Sequence, residues 1–518
     1  MFLPEIDKLS LAEQVAQMIV VRASGYLYDH QIQYPQWEPP NQVLQTWIKD
    51  YGVGGVILVG GSVPEIYLRS TQLQSWAKVP LLIAADVEEG VGQRFSGATH
   101  FPPPMALQQL LPESALKYAE IMGRITAIES ISIGINWLMA PVVDVNNNPA
   151  NPVINVRAFG ETSEEVSKLT TAFIRGAKPY PVLTTAKHFP GHGDTSIDSH
   201  LQTPTLPHDR DRFDQIELPP FRSAIEAGVD AVMTAHVFAP ELDAQNIATL
   251  SQPILTGLLR QEMGFDRLIV TDALVMNGVA DRYSPEQVAV QAVIAGVDIL
   301  LMPIDPVATI SAIVAAVESG EIDRDRIRAS VQRIWRAKAR TEAGASNSNF
   351  PIAENSIKEH QKIATEITVK SLRVHQGDPL QLDPDRPPIN LIFVDNLLNC
   401  DFLTERGASI AKPRSLGCPQ LLVDPNSIGY LNLDDRSQVI VQIFSRGNPF
   451  RGSAGVHQQI EELVKVSIDR DKLVAIAFYG SPYNLDRFVP LLPPTISWAF
   501  AYSQQPDAQQ AVINYLID

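Results

Sequence analysis

Two cysteines in 518 residues, Cys400 and Cys418, are too few for a disulfide framework. The fold must therefore be held by packing and hydrogen bonds. No apolar stretch approaches the roughly 20 residues of a membrane-spanning helix. Basic residues are also scarce: 41 Lys and Arg stand against 58 Asp and Glu, a net charge of −17. Without a basic run, or a basic patch interleaved with aromatics, neither nucleic acid nor an anionic membrane is an expected partner. The first residues, MFLPEIDKLSLAEQ, lack the basic region and long apolar core of a secretory signal. Together these absences predict a cytoplasmic protein, and nothing in the sequence fixes its oligomeric state.

What is present is a pattern of strands. Eight short apolar runs occur in order: Gln17–Val21, Gly55–Val59, Pro80–Ala84, Asn136–Ala140, Val182–Ala186, Ala231–Thr234, Leu268–Thr271 and Val297–Leu301. Segments of helical spacing separate most of them, among them Ser114–Ile131, Ser163–Arg175 and Ser284–Ala295. Strand–helix–strand units repeated over about 300 residues predict an α/β fold built on a (β/α)8 TIM-like barrel. Such barrels place chemistry at the carboxyl ends of their strands. Asp86 and Glu88, Asp144, Lys187 and His188, His236, and Asp272 all fall there. Residues Ala339–Asn355 are small, polar and rich in breakers, as a linker would be. Beyond them Asn390–Val394, Gln438–Ile443, Leu473–Phe478 and Ile496–Ala501 predict a smaller α/β sandwich. The expected organisation is a barrel over 1–340, a linker over 341–355 and a second domain over 356–518. That second domain lacks clustered histidines or carboxylates, which suits a structural or interaction role.

The segment Lys187–His200 (KHFPGHGDTSIDSH) concentrates more reactive side chains than any other stretch. Pro190, Gly191 and Gly193 exclude a helix, so the segment is expected to be a loop after the fifth strand. In an extended chain residues i and i+2 share a side. Asp198 is thus expected to hold one ring nitrogen of His200 and leave the other for proton transfer, near neutral pH. Asp272 ends the apolar run Leu268–Thr271. A carboxylate there is either paired, capping the next helix, or used as a nucleophile at the barrel mouth. Nucleophile plus separate proton donor is the requirement of retaining glycoside hydrolysis.

Quoted together, these motifs resemble the β-N-acetylglucosaminidases of glycoside hydrolase family 3, the group involved in peptidoglycan recycling. The mark is KHFPGHG followed by Asp198-Ser199-His200, a motif that the family's β-glucosidases lack. Further similarity runs through Asp86-x-Glu88, Gln93-Arg94-Phe95, Ala140–Asp144, Arg157–Gly160, Thr234–His236, Thr271-Asp272 with Met276, and Ala295–Asp298. The resemblance implies a covalent glycosyl-enzyme on Asp272, with His200 as acid/base oriented by Asp198. It further implies that Asp86, Arg94, Arg157, Lys187 and His188 hold the sugar, and that no cofactor or metal is needed. One departure stands out. The family usually continues its Asp-x-Glu with Gly-Gly-Arg-Val, whereas this chain reads Glu89-Gly90-Val91-Gly92.

Other readings remain open on sequence grounds. His188 and His192, with Asp194, Asp198 and His200, suggest a metal-dependent hydrolase, although Pro190 and Gly191 break the helix that would align the pair. Val91 in place of the arginine admits a sugar-binding barrel without catalysis. A histidine does not repel phosphate as a carboxylate would, so a phosphorylase is a third alternative. Lys187 could serve in a rim salt bridge, and His192 is read as shaping its loop. His236 either lines the pocket or sits in the core. Asp144 and Asp298 are read as backbone or helix-cap partners, Met233, Met276 and Met302 as core. The aromatic insert Tyr26–Trp37 is either an entrance wall or a cover for the barrel's side.

Overall fold

A computed structural model describes residues 3–199, 201–276, 283–342, 354–379, 385–431, 438–447 and 455–517. Among these residues no helix is long and apolar enough to cross a membrane. The first eight strands are β1 (Ile19–Ser24), β2 (Gly55–Val59), β3 (Leu82–Ala85), β4 (Trp137–Leu138), β5 (Thr185–Phe189), β6 (Ala231–Thr234), β7 (Leu268–Val270) and β8 (Leu300–Leu301). They form two parallel arcs, ordered β4-β3-β2-β1-β8 and β5-β6-β7. Bridges Trp137↔Leu183 and Val142↔Lys187 join β4 to the β5 side, and Val270↔Ile299 joins β7 to the β8 side. The ring is therefore a closed eight-stranded barrel, as the alternation of strands and helices predicts.

Local sequence explains the outer helices. In Ser163–Ala177, Thr162 caps the amino end by accepting from the Glu165 N–H, and Val166, Leu169, Thr170, Phe173 and Ile174 form the buried stripe. This helix lies against Pro112–Ser132 at backbone distance. A Cβ added to Gly123 would stand 2.0 Å from the Phe173 carbonyl oxygen, and one added to Gly176 would stand 2.0 Å from that of Glu120. Only glycine fits at either position.

Strand β5 departs from its expected bounds. The apolar run predicts Val182–Ala186, but pairing with β6 continues through Phe189, so Lys187 and His188 lie in the strand itself. Their polar side chains do not end the strand because each finds a charged partner inside the barrel mouth.

By its contacts the chain forms two units. One comprises Met1–Phe101, Glu113–Asn148 and Ala158–Gln361; the other comprises Pro102–Pro112, Pro149–Arg157 and Lys362–Asp518. This division is not the linear one expected from composition, because two segments that follow β3 and β4 group with the carboxyl-terminal chain. The expected linker is helical at both ends: one helix runs Arg324–Glu342 and another begins at Glu354 and runs to Lys370. Residues 343–353 lie outside the described residues.

The second unit is built on β9 (Arg373–His375), β10 (Ile389–Val394), β11 (Gln420–Val423), β12 (Val439–Ser445), β13 (Leu473–Gly480) and β14 (Ser497–Ala501), ordered β11-β10-β12-β13-β14-β9. All are parallel except β9, which runs antiparallel to β14. Sequence patterning anticipates four of the six. The missed β9 (RVH) and β11 (QLLV) are edge strands too short to show periodicity.

The amino-terminal ends of the barrel strands are held by ion pairs. Asp298, fully buried just before β8, pairs with Arg260 and with Arg333 at 3.2 Å, and accepts from Ser330 Oγ at 2.7 Å and the Ile269 N–H at 3.0 Å. Asp230, just before β6, pairs with Arg340 at 3.0 Å and Arg267 at 3.2 Å. Asp298 is thus a backbone partner, as its placement suggested, and an ionic hub besides. Removing one member of a buried ion group leaves the others unpaired. Asp298→Asn is expected to lower unfolding free energy by about 3–5 kcal/mol in urea titration; a loss under about 1 kcal/mol would deny the hub this role.

Candidate active site

The carboxyl-terminal ends of the same strands carry a different set of residues. Asp86 follows β3 directly, and Glu88 lies two residues on. Between them sits the ammonium of Lys187 from β5, 2.9 Å from Asp86 Oδ1 and 2.6 Å from Glu88 Oε1. Lys187 and Glu88 are buried, whereas the Asp86 side chain keeps 29% exposure. Burial pushes the Asp86 carboxyl up, but the charges of Lys187 and Arg94 outweigh that and hold it below its ordinary value. Arg94 lies 3.8 Å from Asp86 and donates from Nε to the Asp86 carbonyl oxygen at 3.2 Å. Lys187 is therefore the core of a buried triad, not a rim salt bridge. Lys187 and Arg94 together balance the two carboxylates, and the part-exposed Asp86 is suited to accepting hydrogen bonds from sugar hydroxyls.

A second group surrounds Asp144. Its Oδ2 lies 2.7 Å from His188 Nδ1, and its Oδ1 accepts the backbone N–H groups of His188 at 3.2 Å and His192 at 2.7 Å. Burial works against this carboxylate, but the His188 imidazole and the donors around it prevail, and its pKa lies below the ordinary value. With Nδ1 on Asp144, His188 has Nε2 as the nitrogen left for a ligand. His192 is fixed at both nitrogens: Nε2 lies 2.8 Å from Ser199 Oγ and Nδ1 2.9 Å from Thr195 Oγ1. Burial depresses its pKa to about 4, against the opposing pull of Asp144 and, more weakly, of Asp272. His192 thus shapes its loop as a neutral ring. These contacts engage both ring nitrogens of His192 and one of His188, and among the described residues no three His, Cys, Asp or Glu side chains group as a metal site.

Asp272 stands two residues past β7. Its backbone N–H reaches the Thr234 carbonyl oxygen at 3.2 Å, and its Oδ1 accepts the Ala273 N–H at 2.8 Å. The turn is braced from β6: buried His236 meets Thr249 Oγ1 at 2.8 Å through Nδ1 and the Ala273 carbonyl oxygen at 3.2 Å through Nε2. His236 therefore belongs to the support of Asp272, a role that strand-end position hints at but only tertiary contact reveals. The structure brings Asp86, Arg94, Lys187, His188 and Asp272 to one end of the barrel.

The remaining candidates stand differently. Asp198 is buried, and its carbonyl oxygen accepts from Leu201 and Gln202 at 3.0 Å each. The chain leaving it turns at Ser199 instead of continuing extended, which corrects the premise from which its reach to His200 was inferred. His200 lies outside the described residues. Arg157 is buried and belongs by its contacts to the second unit, with Nη1 donating to the Val153 carbonyl oxygen at 3.1 Å. Val91 is fully buried; Glu89, where the family has glycine, meets His100 Nε2 at 3.2 Å. The aromatic insert follows the carboxyl end of β1, with Tyr34 and Trp37 at 4.8 and 5.1 Å from the Arg22 guanidinium. Met233, Met276 and Met302 are buried, as core residues should be.

Comparison with known proteins gives the chain a family. The glycosyl hydrolase family 3 N-terminal domain matches residues 10–337, and the bacterial glycosyl hydrolase family 3 C-terminal domain matches 381–518. A β-hexosaminidase A of Pseudoalteromonas piscicida is 34% identical, over 90% of this chain and 85% of the relative. A β-hexosaminidase of Vibrio cholerae is 40% identical over 48% of this chain and 75% of its own. Among solved structures, a family 3 β-N-acetylglucosaminidase from Paenibacillus sp. superposes with a TM-score of 0.79 at 31% identity, covering 98% of this chain and 96% of that one.

The depressed pKa of His192 makes a prediction for stability. The unfolded chain takes up a proton near pH 6.5 that the folded ring refuses until about pH 4. The contribution of the neutral ring is complete above pH 6.5 and is lost as pH falls through that window, a loss of roughly 3 kcal/mol. His192→Gln keeps a polar partner and removes the titration. Its urea midpoint should fall less steeply than that of the parent protein between pH 6.5 and 4; parallel curves would assign the decline elsewhere.

Proposed function

The chain belongs to glycoside hydrolase family 3 and is a glycoside hydrolase, and on that premise we propose that it is a retaining, exo-acting β-N-acetylglucosaminidase. Its substrates are terminal N-acetylglucosaminides of muropeptide or chitin type. What carries the reading is the position of Asp272, two residues past β7, on the strand-end face that also holds the Lys187 triad and the Asp144-braced His188. The names of the β-hexosaminidase and β-N-acetylglucosaminidase relatives support the substrate class.

In this mechanism an Asp272 carboxylate oxygen attacks the anomeric carbon while His200 gives its proton to the departing glycosidic oxygen. The bond to the aglycone breaks as the ester to Asp272 forms. Water then attacks the same carbon, His200 takes its proton, and Asp272 leaves as carboxylate, so configuration is retained. Asp198 orients His200. Asp86, Lys187, His188, Arg94 and Arg157 hold the hydroxyls and acetamido group of the sugar. A closed pocket lined by such groups selects its ligand, because each one left unpaired costs about 1–3 kcal/mol. No cofactor enters either step. We also place the enzyme in the cytoplasm, where its thiols, Cys400 and Cys418, stay unpaired.

Asp272→Ala is expected to abolish turnover of an aryl N-acetyl-β-glucosaminide, by at least about three orders of magnitude in kcat. His200→Ala should slow oligosaccharides far more than aryl glycosides, whose leaving groups need no proton. Full activity in the Asp272 variant would remove the nucleophile. Added inorganic phosphate should leave the product as free sugar; release of the sugar 1-phosphate would make the enzyme a phosphorylase.

A further inference from the structure

Counted along the chain, the five parallel strands of the second unit stand in the order 2-1-3-4-5. The chain leaves β10 toward β11 on one side and returns to β12 on the other, so the loops after β10 and β12 diverge. In open α/β sheets the crevice between such loops, at the carboxyl ends of the strands, is where ligands bind. Here Asp395, just past β10, accepts the Arg446 N–H from just past β12 at 3.4 Å, closing the floor of the crevice. Over it lies the protein's own backbone. A Cβ added to Gly447 would stand 2.9 Å from the Pro152 carbonyl oxygen and 2.9 Å from Asn155 Cβ. The other intruding segment, Pro102–Pro112, reaches the carboxyl end of β14, where Gln109 Nε2 donates to Tyr502 OH at 2.9 Å. Pro104–Gln109 also packs against Asn155–Arg157.

The seated loop is unusually fixed. Residues 151–157 are all buried without regular structure beyond one short turn at Asn155–Arg157. Asn151 Oδ1 accepts the N–H groups of Val153 and Ile154 at 2.9 and 2.8 Å, and Asn155 Nδ2 donates to the Asn151 carbonyl oxygen at 3.2 Å. Asn155 adopts φ 44°, a left-handed conformation that is uncommon for any residue with a side chain. Backbone held in this region tends to mark sites where position matters. Two residues later comes Arg157, whose guanidinium donates back to the Val153 carbonyl oxygen at 3.1 Å.

We propose that the carboxyl-terminal sheet serves as a seat for the Asn151–Arg157 loop, with Gly447 as a positioning residue that sets Arg157 for the sugar. The crevice at the switch point between β10 and β12 holds a loop of this chain in the place where related topologies hold a ligand. This rests on the reading of Arg157 as a sugar contact.

The test is Gly447→Ala in the full-length protein, followed by steady-state kinetics on an aryl N-acetyl-β-glucosaminide and by hydrogen–deuterium exchange of the 151–157 backbone. An added methyl displaces the loop, so KM should rise about tenfold with kcat changed less, and exchange in the loop should quicken. Asn155→Gly removes the side-chain atoms that this methyl meets, at 2.9 and 3.2 Å, while the Pro152 carbonyl oxygen stays, and glycine is at ease at φ 44°. Gly447→Ala should therefore raise KM less in the Asn155→Gly background than in the parent protein, a coupling that general destabilisation would not produce. If Gly447→Ala alone does not fold, recovery in the double variant still reads the contact. Unchanged KM and exchange in Gly447→Ala, or strictly additive effects in the double variant, would overturn the proposal. A parent protein inactive on every N-acetylglucosaminide, with exchange nonetheless quickened by the methyl, would spare the seat and remove the sugar reading.

Discussion

Lys187 carries its ammonium into the barrel mouth on β5 and meets two carboxylates there, Asp86 and Glu88, from the turn after β3. A buried lysine without such partners would lose its charge or destabilise the fold, and the paired carboxylates would be no better off alone. The three are therefore interdependent. The triad also explains why β5 runs past its apolar residues: the strand continues because its polar side chains are satisfied at that end. His188, next in the strand, is satisfied by Asp144 in the same way. Two charged contacts thus fix the register in which the rest of the mouth is assembled, including the loop that His192 holds between Thr195 and Ser199.

The two ends of the barrel spend their charges differently. At the amino ends of the strands, Asp298 and Asp230 are enclosed by arginines and backbone donors, and every pairing looks inward. At the carboxyl ends, Asp86 keeps part of its surface open, and His188 has one nitrogen directed to its brace and another for a ligand. Asp272 belongs to the second set. Its turn is steadied by His236 through the neighbouring carbonyl, and the Ala273 N–H donates to the carboxylate itself. Under the proposed mechanism that carboxylate meets the developing positive charge of the sugar.

The sequence was a good guide to strands and a poorer one to partners. Gly55–Val59 and Ala231–Thr234 are read correctly because continuous apolar runs bounded by polar turns describe buried parallel strands. The strand-end position of Asp86, Lys187, His188 and Asp272 follows from the same pattern. Glu88 as the second partner of Lys187, and Asp144 as the brace of His188, could not be read, since barrel closure brings together residues 99 and 44 positions apart. Local pattern contains no such distances. The loop character given to Lys187–Phe189 failed for a related reason: polarity signals a strand's end only where no partner waits. The segments 102–112 and 149–157 look like ordinary connections after β3 and β4, and only their tertiary contacts reveal a second allegiance.

The central claim is that Asp272 forms a bond to the sugar. Incubation with a fluorinated N-acetylglucosamine analogue bearing a good leaving group should trap that bond, and peptide mass spectrometry of the trapped protein should locate it. The account predicts one added sugar per chain, carried by the peptide that contains Asp272. A label on another carboxylate, or rapid turnover of true substrates by an enzyme that never accumulates a covalent sugar, would contradict it.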